Sequence, residues 1–226
     1  MHLVMIPGYM LSDDLWHDVL PLLPKDIVPY HAELKGKTIA EMAKNITNSA
    51  PEKFALCGFS MGGYVARELA RQAPLRLITM INIASSSQPD SQEQARQKIA
   101  LVTHLQNHEF AGIGRQAILK GLSAARRGDA ILVERIKAMG ISLGKEACIE
   151  QSQAIRHEEK LEDIDTPTLI IAGEHDELRP PSESEHMVRR LPNAYYACIS
   201  DTGHMIPLEQ PERLAQVLNR WFDRTT

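Results

Sequence analysis

Residues 53–73 read KFALCGFSMGGYVARELARQA, and this stretch determines how the rest of the chain is interpreted. Its first five residues are typical of a short buried strand, and its last ten repeat apolar residues along one face of a helix. Between them, Gly58 and Gly62 flank Ser60 in a turn that is too tight for side chains. A serine on a sharp turn from strand to helix has a strained backbone and an exposed hydroxyl. The stretch therefore predicts that Ser60 is a nucleophile, with a plain glycine-rich turn as the alternative.

Apolar runs of strand length alternate with helix-like stretches along most of the chain. Predicted strands lie at 3–6, 27–30, 53–57, 77–83, 168–172 and 194–199. Predicted helices outside the middle of the chain lie at about 13–23, 38–49, 64–73 and 212–223. Apolar strands separated by helices indicate a parallel sheet that helices cover on both faces. The predicted fold class is α/β, with a mainly parallel sheet of about six strands.

Residues 88–161 interrupt this alternation, because they contain no strand-like run. Helical stretches fill the segment instead, at roughly 91–108, 112–121, 130–139 and 145–156. A helical insertion after a strand of an α/β sheet lies over the carboxyl ends of the strands, where such folds bind ligands. We expect a core formed by residues 1–87 and 162–226, with residues 88–161 as a helical cap. A helical extension without a part in the site is the alternative.

A serine hydroxyl needs a base that accepts its proton and a third group that orients the base. Asp176 follows the strand predicted at 168–172 and His204 follows the strand predicted at 194–199. Both side chains are therefore expected at the same edge of the sheet as Ser60. The order Ser60, Asp176, His204 is the one expected when a serine on such a turn uses a triad. His175 would be the base only if its loop were reversed, and the competing carboxylates are Glu174, Glu177 and Asp201.

Together these pieces resemble the α/β-hydrolases, in particular the capped serine hydrolases of the carboxylesterase type. The resemblance covers nearly the whole chain, and its motifs are Pro7-Gly8-Tyr9, Gly58 to Gly62, Gly173-x-x-Asp176 and Gly203-His204. It implies an α/β-hydrolase fold with Ser60 as nucleophile, His204 as general base and acid, and Asp176 as the residue that orients His204.

The resemblance also implies an oxyanion hole formed by the backbone N–H groups of Tyr9 and Met61. The family commonly has histidine where this chain has Pro7. Only a backbone N–H from the following residues is needed, so we expect the hole to be kept. The family usually has a longer strand pair before this loop, which is consistent with a sheet reduced to about six strands.

The reaction that the resemblance implies is the hydrolysis of carboxylic esters of small or medium substrates through an acyl-enzyme. Relatives that hydrolyse carbon–carbon bonds tend to carry asparagine before the serine and an aromatic residue soon after the histidine. Phe59 and Met205-Ile206-Pro207 stand there instead and count against that alternative. A thioesterase stays open, because the same site serves both bonds. A ligand-binding signalling module with weak hydrolase activity is the alternative from a different class.

Composition and charge narrow the expected partners to a small-molecule ester substrate. The formal net charge is −4 and no basic stripe favours nucleic acid. No apolar run near the start suits a signal peptide or a membrane span, so we expect a cytoplasmic protein without membrane contact. No cofactor and no metal are expected, since His104 and His108 lie four residues apart without a third ligand. The oligomeric state stays open.

The cysteines are Cys57, Cys148 and Cys198. Their odd number and wide spacing argue against a disulfide framework or a zinc site. Cys57 and Cys198 fall within predicted strands, and we expect both to be buried core thiols.

Overall fold

The computed structural model describes residues 1–225, and its centre is one sheet of six parallel strands. The strand order across the sheet is β2-β1-β3-β4-β5-β6. The strands are β1 (His2–Ile6), β2 (Val28–His31), β3 (Phe54–Phe59), β4 (Leu77–Ile83), β5 (Thr168–Gly173) and β6 (Ala194–Ile199). The predicted parallel sheet of about six strands is confirmed.

Helices connect these strands and cover the sheet. They are α1 (Ile39–Ser49), α2 (Met61–Gln72), α3 (Gln92–Asn107), α4 (Arg115–Lys120), α5 (Ala130–Gln153), α6 (Pro181–Arg190), α7 (Ile206–Glu209) and α8 (Pro211–Thr225). Short 3-10 helices lie at Asp13–Trp16, Leu20–Leu22, Pro74–Arg76 and Leu161–Asp163. Within residues 1–225, none of the helices combines the length and the hydropathy that crossing a bilayer requires.

Alternate residues of the strands enter two separate cores, one on each face of the sheet, because side chains along a strand point in opposite directions. Leu3 and Met5 belong to the core that packs against α8. Val4 and Ile6 belong to the core that packs against α1, α2 and α6. With both faces covered, the carboxyl-end edge of the sheet is where polar side chains can meet without crossing a core.

The helix predicted at 13–23 is wrong. Two short 3-10 helices stand there instead, Asp13–Trp16 and Leu20–Leu22. Pro21 and Pro24 account for the difference, because proline has no N–H to donate and its ring clashes with the preceding turn of an α-helix. Leu15, Trp16, Val19 and Leu23 of this stretch are nevertheless buried in the core, whereas Leu22 is exposed.

The expectation that Cys198 is a buried thiol is also wrong, whereas Cys57 is buried as predicted. Cys198 lies on β6, which is an edge strand of the sheet and has several exposed residues. An apolar run does not by itself distinguish an edge strand from a central one.

Residues 88–161 leave the sheet after β4 and return before β5 without adding a strand. Their longest helix, α5, is interrupted at Gly144, which has a φ of 82°, so the two predicted stretches 130–139 and 145–156 are joined by a kink. The segment's ends lie together, because the Asp90 N–H donates to the Arg156 carbonyl at 2.9 Å. We propose on this basis that residues 88–161 form a cap inserted into a core of 1–87 and 162–226.

Candidate active site

The turn between β3 and α2 holds Ser60 in the left-handed backbone region, with a φ of 51°. The two glycines of the turn are needed because backbone approaches them closely. A Cβ on Gly58 would collide with the carbonyl oxygen of Gly62, and a Cβ on Gly62 would collide with the carbonyl oxygens of Ile6 and Pro7. The turn therefore lies against the end of β1, and the serine side chain is left free to face away from the sheet.

A continuous chain of hydrogen bonds joins the three side chains that the sequence singled out. The His204 Nε2 atom lies 2.9 Å from the Ser60 Oγ atom, and His204 Nδ1 lies 2.7 Å from Asp176 Oδ2. The other carboxylate oxygen accepts the backbone N–H groups of Leu178 and Arg179, each at 2.8 Å. A carboxylate that only accepts fixes the proton of the imidazole on Nδ1, so Nε2 is the nitrogen that can accept the hydroxyl proton. His204 and Asp176 are both buried.

The loop that carries His204 is held by backbone contacts to the segment after α4. Gly121 accepts the His204 N–H at 2.9 Å through its carbonyl. The buried carboxylate of Glu209 accepts the Gly203 N–H at 3.0 Å and the Ser123 N–H at 2.9 Å. One side chain therefore ties the histidine loop to residues of the proposed cap.

The backbone N–H groups of Tyr9 and Met61 have no hydrogen-bond acceptor among residues 1–225. Both residues line the same cavity as Ser60. The next N–H along the first loop is already used, since Met10 donates to the Gln151 side-chain oxygen at 2.8 Å. Two unpaired donors beside a serine hydroxyl can stabilise negative charge on a substrate oxygen.

The Tyr9 side chain fastens this loop to α5. Its hydroxyl lies 2.8 Å from the Ser152 hydroxyl and 3.3 Å from the Cys148 sulfur. Burial is the main cause that raises the pKa of the Tyr9 phenol, and the Cys148 contact adds to it. The phenol therefore keeps its proton at neutral pH and serves as a structural hydrogen-bonding group.

Comparison with known proteins agrees with this architecture. The family model described as the alpha/beta hydrolase fold matches residues 37–211, which is well over half of the chain. The chain belongs to the alpha/beta hydrolase fold family.

Individual proteins also resemble the chain over nearly its full length. A pimeloyl-[acyl-carrier protein] methyl ester esterase from Aromatoleum aromaticum is 26% identical over 241 residues, covering 96% of this chain and 96% of that protein. The malate-bound structure of a thermophilic esterase from Thermogutta terrifontis superimposes with a TM-score of 0.86 at 25% identity, covering 100% of this chain and 90% of that chain. An enol-lactonase from Burkholderia xenovorans shares the fold, with a TM-score of 0.82 at 16% identity over 98% of this chain and 91% of that one.

In this alpha/beta hydrolase, a cavity of about 340 Å³ opens beside Ser60 and is bordered by both the sheet edge and the proposed cap. Its lining consists of Tyr9, Ser60, Met61, Gln94, Gln97, Lys98, Leu101, Gln151, Ser152, Ala154, Arg156 and Arg179. Leu101 and Ala154 are the apolar residues that the proposed cap contributes to this lining, whereas Leu105, Ile136 and Met139 are buried in the cores. Such a volume lies near the lower end of ligand pockets, which range from about 300 to 1,000 Å³.

A second group of side chains, which the sequence did not single out, supports the strained turn. The Ser85 hydroxyl donates to the Ser60 carbonyl at 2.8 Å. Behind it lies the fully buried guanidinium of Arg67, which donates to Asn82 at 2.8 Å and pairs with Glu159 through bonds of 2.7 and 3.0 Å. This network fixes the backbone of the turn through the Ser60 carbonyl.

Signals for part of this network were present in the sequence. Three consecutive serines at 85–87 begin two residues after the last residue of an apolar strand, and polar residues at such a strand end favour a functional edge. Arg67 stands among small apolar residues of α2, where a charge is buried only when it is paired. Its partner Glu159 is 92 residues away in sequence, so no local pattern could identify the pair.

Possible metal ligands come together once among residues 1–225. Glu174, His175 and Asp201 place their ligand atoms within 4.8 Å of one another, and all three are exposed. The rings of His104 and His108 stack at 4.0 Å between centroids without a third ligand in that group.

Proposed function

We propose that this chain is a serine hydrolase that cleaves carboxylic esters of small or medium substrates through an acyl-enzyme. The observation that carries the proposal is the hydrogen-bond chain from Asp176 through His204 to Ser60, which ends at a cavity. The fold family hosts several chemistries, so the fold alone would not carry it. The esterase names of the relatives, at 25% and 26% identity over nearly the whole chain, support the same reaction class.

In the first half of the proposed reaction, His204 Nε2 takes the proton of the Ser60 hydroxyl while Oγ attacks the carbonyl carbon. Negative charge develops on the former carbonyl oxygen, and the N–H groups of Tyr9 and Met61 stabilise it. His204 then gives its proton to the departing alcohol, and the carbonyl group stays bonded to Ser60 as an ester. Asp176 stabilises the imidazolium that exists between these two transfers.

In the second half, water replaces the alcohol. His204 takes a proton from water as the water oxygen attacks the acyl-enzyme, and the same two N–H groups stabilise the second intermediate. The bond to Ser60 breaks, Oγ recovers its proton from His204, and the carboxylic acid leaves. Thioesters follow the same steps, so a substrate panel that pairs each ester with its thioester decides which bond is preferred.

The Ser60→Ala variant tests the proposal. We expect the rate of hydrolysis of a short p-nitrophenyl ester to fall by at least about a thousandfold, because the nucleophile is removed. Labelling by a fluorophosphonate probe is expected to disappear with it, while the circular dichroism spectrum and the melting temperature stay close to those of the unchanged protein.

The matched control is Ser49→Ala, since Ser49 is an exposed serine at the end of α1 and is not part of the cavity lining. Its turnover and labelling are expected to match those of the unchanged protein. Near-native turnover in Ser60→Ala would contradict the proposed mechanism. Tight ligand binding without repeated turnover by the unchanged protein would favour the signalling module instead.

A further inference from the structure

The charged side chains that line the cavity beside Ser60 are all positive. Its lining includes Lys98, Arg156 and Arg179, and among the residues that the structure describes it includes no aspartate or glutamate. A cavity that only had to hold a neutral ester would have no need of three cationic side chains. The arrangement of these cations is therefore informative about the charge of the substrate.

A buried carboxylate holds two of the cations in place from behind. Asp90 has a fully buried side chain and accepts the Lys98 ammonium at 2.6 Å and the Arg156 Nε at 2.7 Å. The side chains of Lys98 and Arg156 remain 24% and 13% exposed. Within residues 1–225, Asp90 is the one carboxylate within salt-bridge distance of Lys98 and Arg156, so these two cations share a single negative charge at the cavity wall.

The third cation, Arg179, lies in the loop before α6 and is balanced separately by Glu183 in the first turn of that helix, at 3.4 Å. It contributes donors to the lining and no surplus charge. The surplus therefore lies with Lys98 and Arg156, and its size matches a single negative charge.

The pKa shifts of Asp90 and Lys98 are consistent with a site that binds an anion. Burial raises the pKa of Asp90, but the hydrogen bonds from Arg156 and Lys98 outweigh it, so that pKa lies below its ordinary value. Burial lowers the pKa of Lys98 in spite of its bond to Asp90. An unneutralised cation in a partly dry site is held at a cost in free energy, which an incoming anion reduces.

The rest of the lining suits a short chain that ends in an anion. Met61, Leu101 and Ala154 are apolar. Gln151 uses its amide oxygen to accept the Met10 N–H, which leaves its amide nitrogen as a donor. The cavity therefore combines an apolar part, neutral donors and one uncompensated cationic position beside the proposed nucleophile.

We propose that Lys98 and Arg156, held by Asp90, bind a carboxylate of the substrate, so that the preferred esters carry a carboxylate away from the bond that is cleaved. This proposal rests on the proposed function, because it names the class of ester that the proposed reaction would cleave. It adds the substrate class that neither the triad nor the fold specifies. A single negative charge favours a carboxylate over a phosphate monoester, which is mostly doubly charged at neutral pH.

The decisive measurement compares charged and neutral esters of equal size. Monomethyl glutarate and its ω-amide place the carboxylate on the acyl side, and 4-acetoxybutyrate and its amide place it on the alcohol side. We expect kcat/KM of the unchanged protein to be about tenfold higher for the acid than for the amide in at least one pair, since a charge-assisted hydrogen bond contributes about that much. The pair that shows the preference identifies the side on which the carboxylate lies.

Variants then assign the preference to the two cations. In Lys98→Gln and in Arg156→Gln, kcat/KM for the preferred acid is expected to fall about tenfold, while the value for its amide changes less than about threefold. The amide substrate thus reports whether the site is still folded. Lys98→Arg is expected to keep the preference, because the charge is restored.

The matched control is Arg96→Gln, on the same helix as Lys98. The Arg96 side chain is 69% exposed and pairs with Glu93 on the surface, outside the cavity lining. Its charge preference is expected to equal that of the unchanged protein. Equal rates for acid and amide in the unchanged protein, or equal losses for both in the variants, would overturn the proposal.

A binding measurement separates this proposal from the proposed reaction. The Ser60→Ala variant is titrated calorimetrically with monomethyl glutarate, with its amide and with inorganic phosphate. Tighter binding of the acid than of the amide, lost in Ser60→Ala combined with Lys98→Gln, supports the carboxylate site even if no ester is turned over. Equal binding of acid and amide would contradict the carboxylate site without affecting Ser60-dependent hydrolysis. Binding of phosphate alone would show that the anion was wrongly assigned.

Discussion

At the scale of single residues, strained backbone is concentrated at one edge of the sheet. Within residues 1–225, four non-glycine residues have a positive φ, between 47° and 56°, and each follows a strand: Met10, Ser60, Ala84 and Asp201. Each such residue costs of the order of 1–3 kcal/mol and persists only when its surroundings fix it. For Ser60, the backbone N–H donates to the Ile83 carbonyl at 2.8 Å, and Ser85 binds its carbonyl. The strain is thus confined to the positions that present the candidate site.

The Asp176→Asn variant tests the orientation of the imidazole. An asparagine has one acceptor where Asp176 has two, so an amide N–H group meets either His204 Nδ1 or the N–H groups of Leu178 and Arg179. If it meets Nδ1, the imidazole proton moves to Nε2 and the base is lost. We expect kcat for ester hydrolysis to fall by about 10³- to 10⁴-fold with little change in the melting temperature.

The control for this variant is Glu177→Gln, next to Asp176 in sequence. Glu177 is exposed and pairs with Arg127 at 2.7 Å, and it does not contact His204. Its kcat is expected to stay within about twofold of that of the unchanged protein. A loss of less than about threefold in Asp176→Asn would show that Asp176 does not orient the base.

The sequence indicates which side chains meet at the candidate site better than it indicates which groups support them. Ser60, Asp176 and His204 each follow a predicted strand, and parallel strands bring their carboxyl ends together without further information. Lys98 and Arg156 carry no such signal. Each resembles an ordinary surface cation, and only the folded chain brings them to the same Asp90 carboxylate.

At the scale of elements, strands are predicted more accurately than the first helices. The predicted runs 77–83 and 194–199 coincide with β4 and β6, because their apolar residues are bounded by residues that end a strand. The stretch 13–23 has helical spacing of apolar residues, but its prolines leave two 3-10 helices. The spacing of apolar residues indicates which side chains face the core. The backbone N–H groups that are available to donate determine which type of helix forms.

The Glu209→Gln variant tests how the histidine loop is supported. The two carboxylate oxygens of Glu209 accept one backbone N–H each, from Gly203 and Ser123. A glutamine places an amide N–H group against one of those donors, which leaves a buried donor unpaired. We expect the free energy of unfolding to fall by about 1–3 kcal/mol, as measured by urea denaturation. Because Gly203 precedes His204, we also expect kcat to fall more than KM changes.

The matched control is Glu212→Gln, three residues further along and exposed on α8. Neither its stability nor its kcat is expected to change measurably. If Glu209→Gln lowered stability and left kcat unchanged, Glu209 would support the fold without positioning the base.

At the scale of the whole molecule, the two ends of the proposed cap meet at Asp90. Its backbone N–H donates to the Arg156 carbonyl, and its carboxylate accepts Arg156 and Lys98, while the Lys98 ammonium also donates to the Ala154 carbonyl at 2.9 Å. Arg156 in turn lies over the Tyr64 ring at 5.3 Å, and Tyr64 belongs to α2, which begins directly after Ser60. Asp90 thus both joins the two ends of the proposed cap and holds the two cations of the cavity, so the proposal links the stability of the cap to the charge preference of the cavity through one side chain.

This linkage predicts how stability depends on pH. The folded-state pKa of Asp90 is lowered below its ordinary 3.8, so its contribution is complete well above pH 3.8 and is lost as the pH falls below that value through the lowered pKa. Replacing the carboxylate by Asp90→Asn should therefore lower the free energy of unfolding at neutral pH by about 2 kcal/mol. In urea denaturation at decreasing pH, the gap between the variant and the unchanged protein should narrow once the pH falls below 3.8.

The control is Glu93→Gln, an exposed carboxylate on α3 that pairs with Arg96, for which no measurable gap is expected at any pH. A gap for Asp90→Asn that stayed constant down to the lowest pH at which the protein folds would mean that Asp90 stabilises the cap through its shape and neutral hydrogen bonds, and that its charge plays no part.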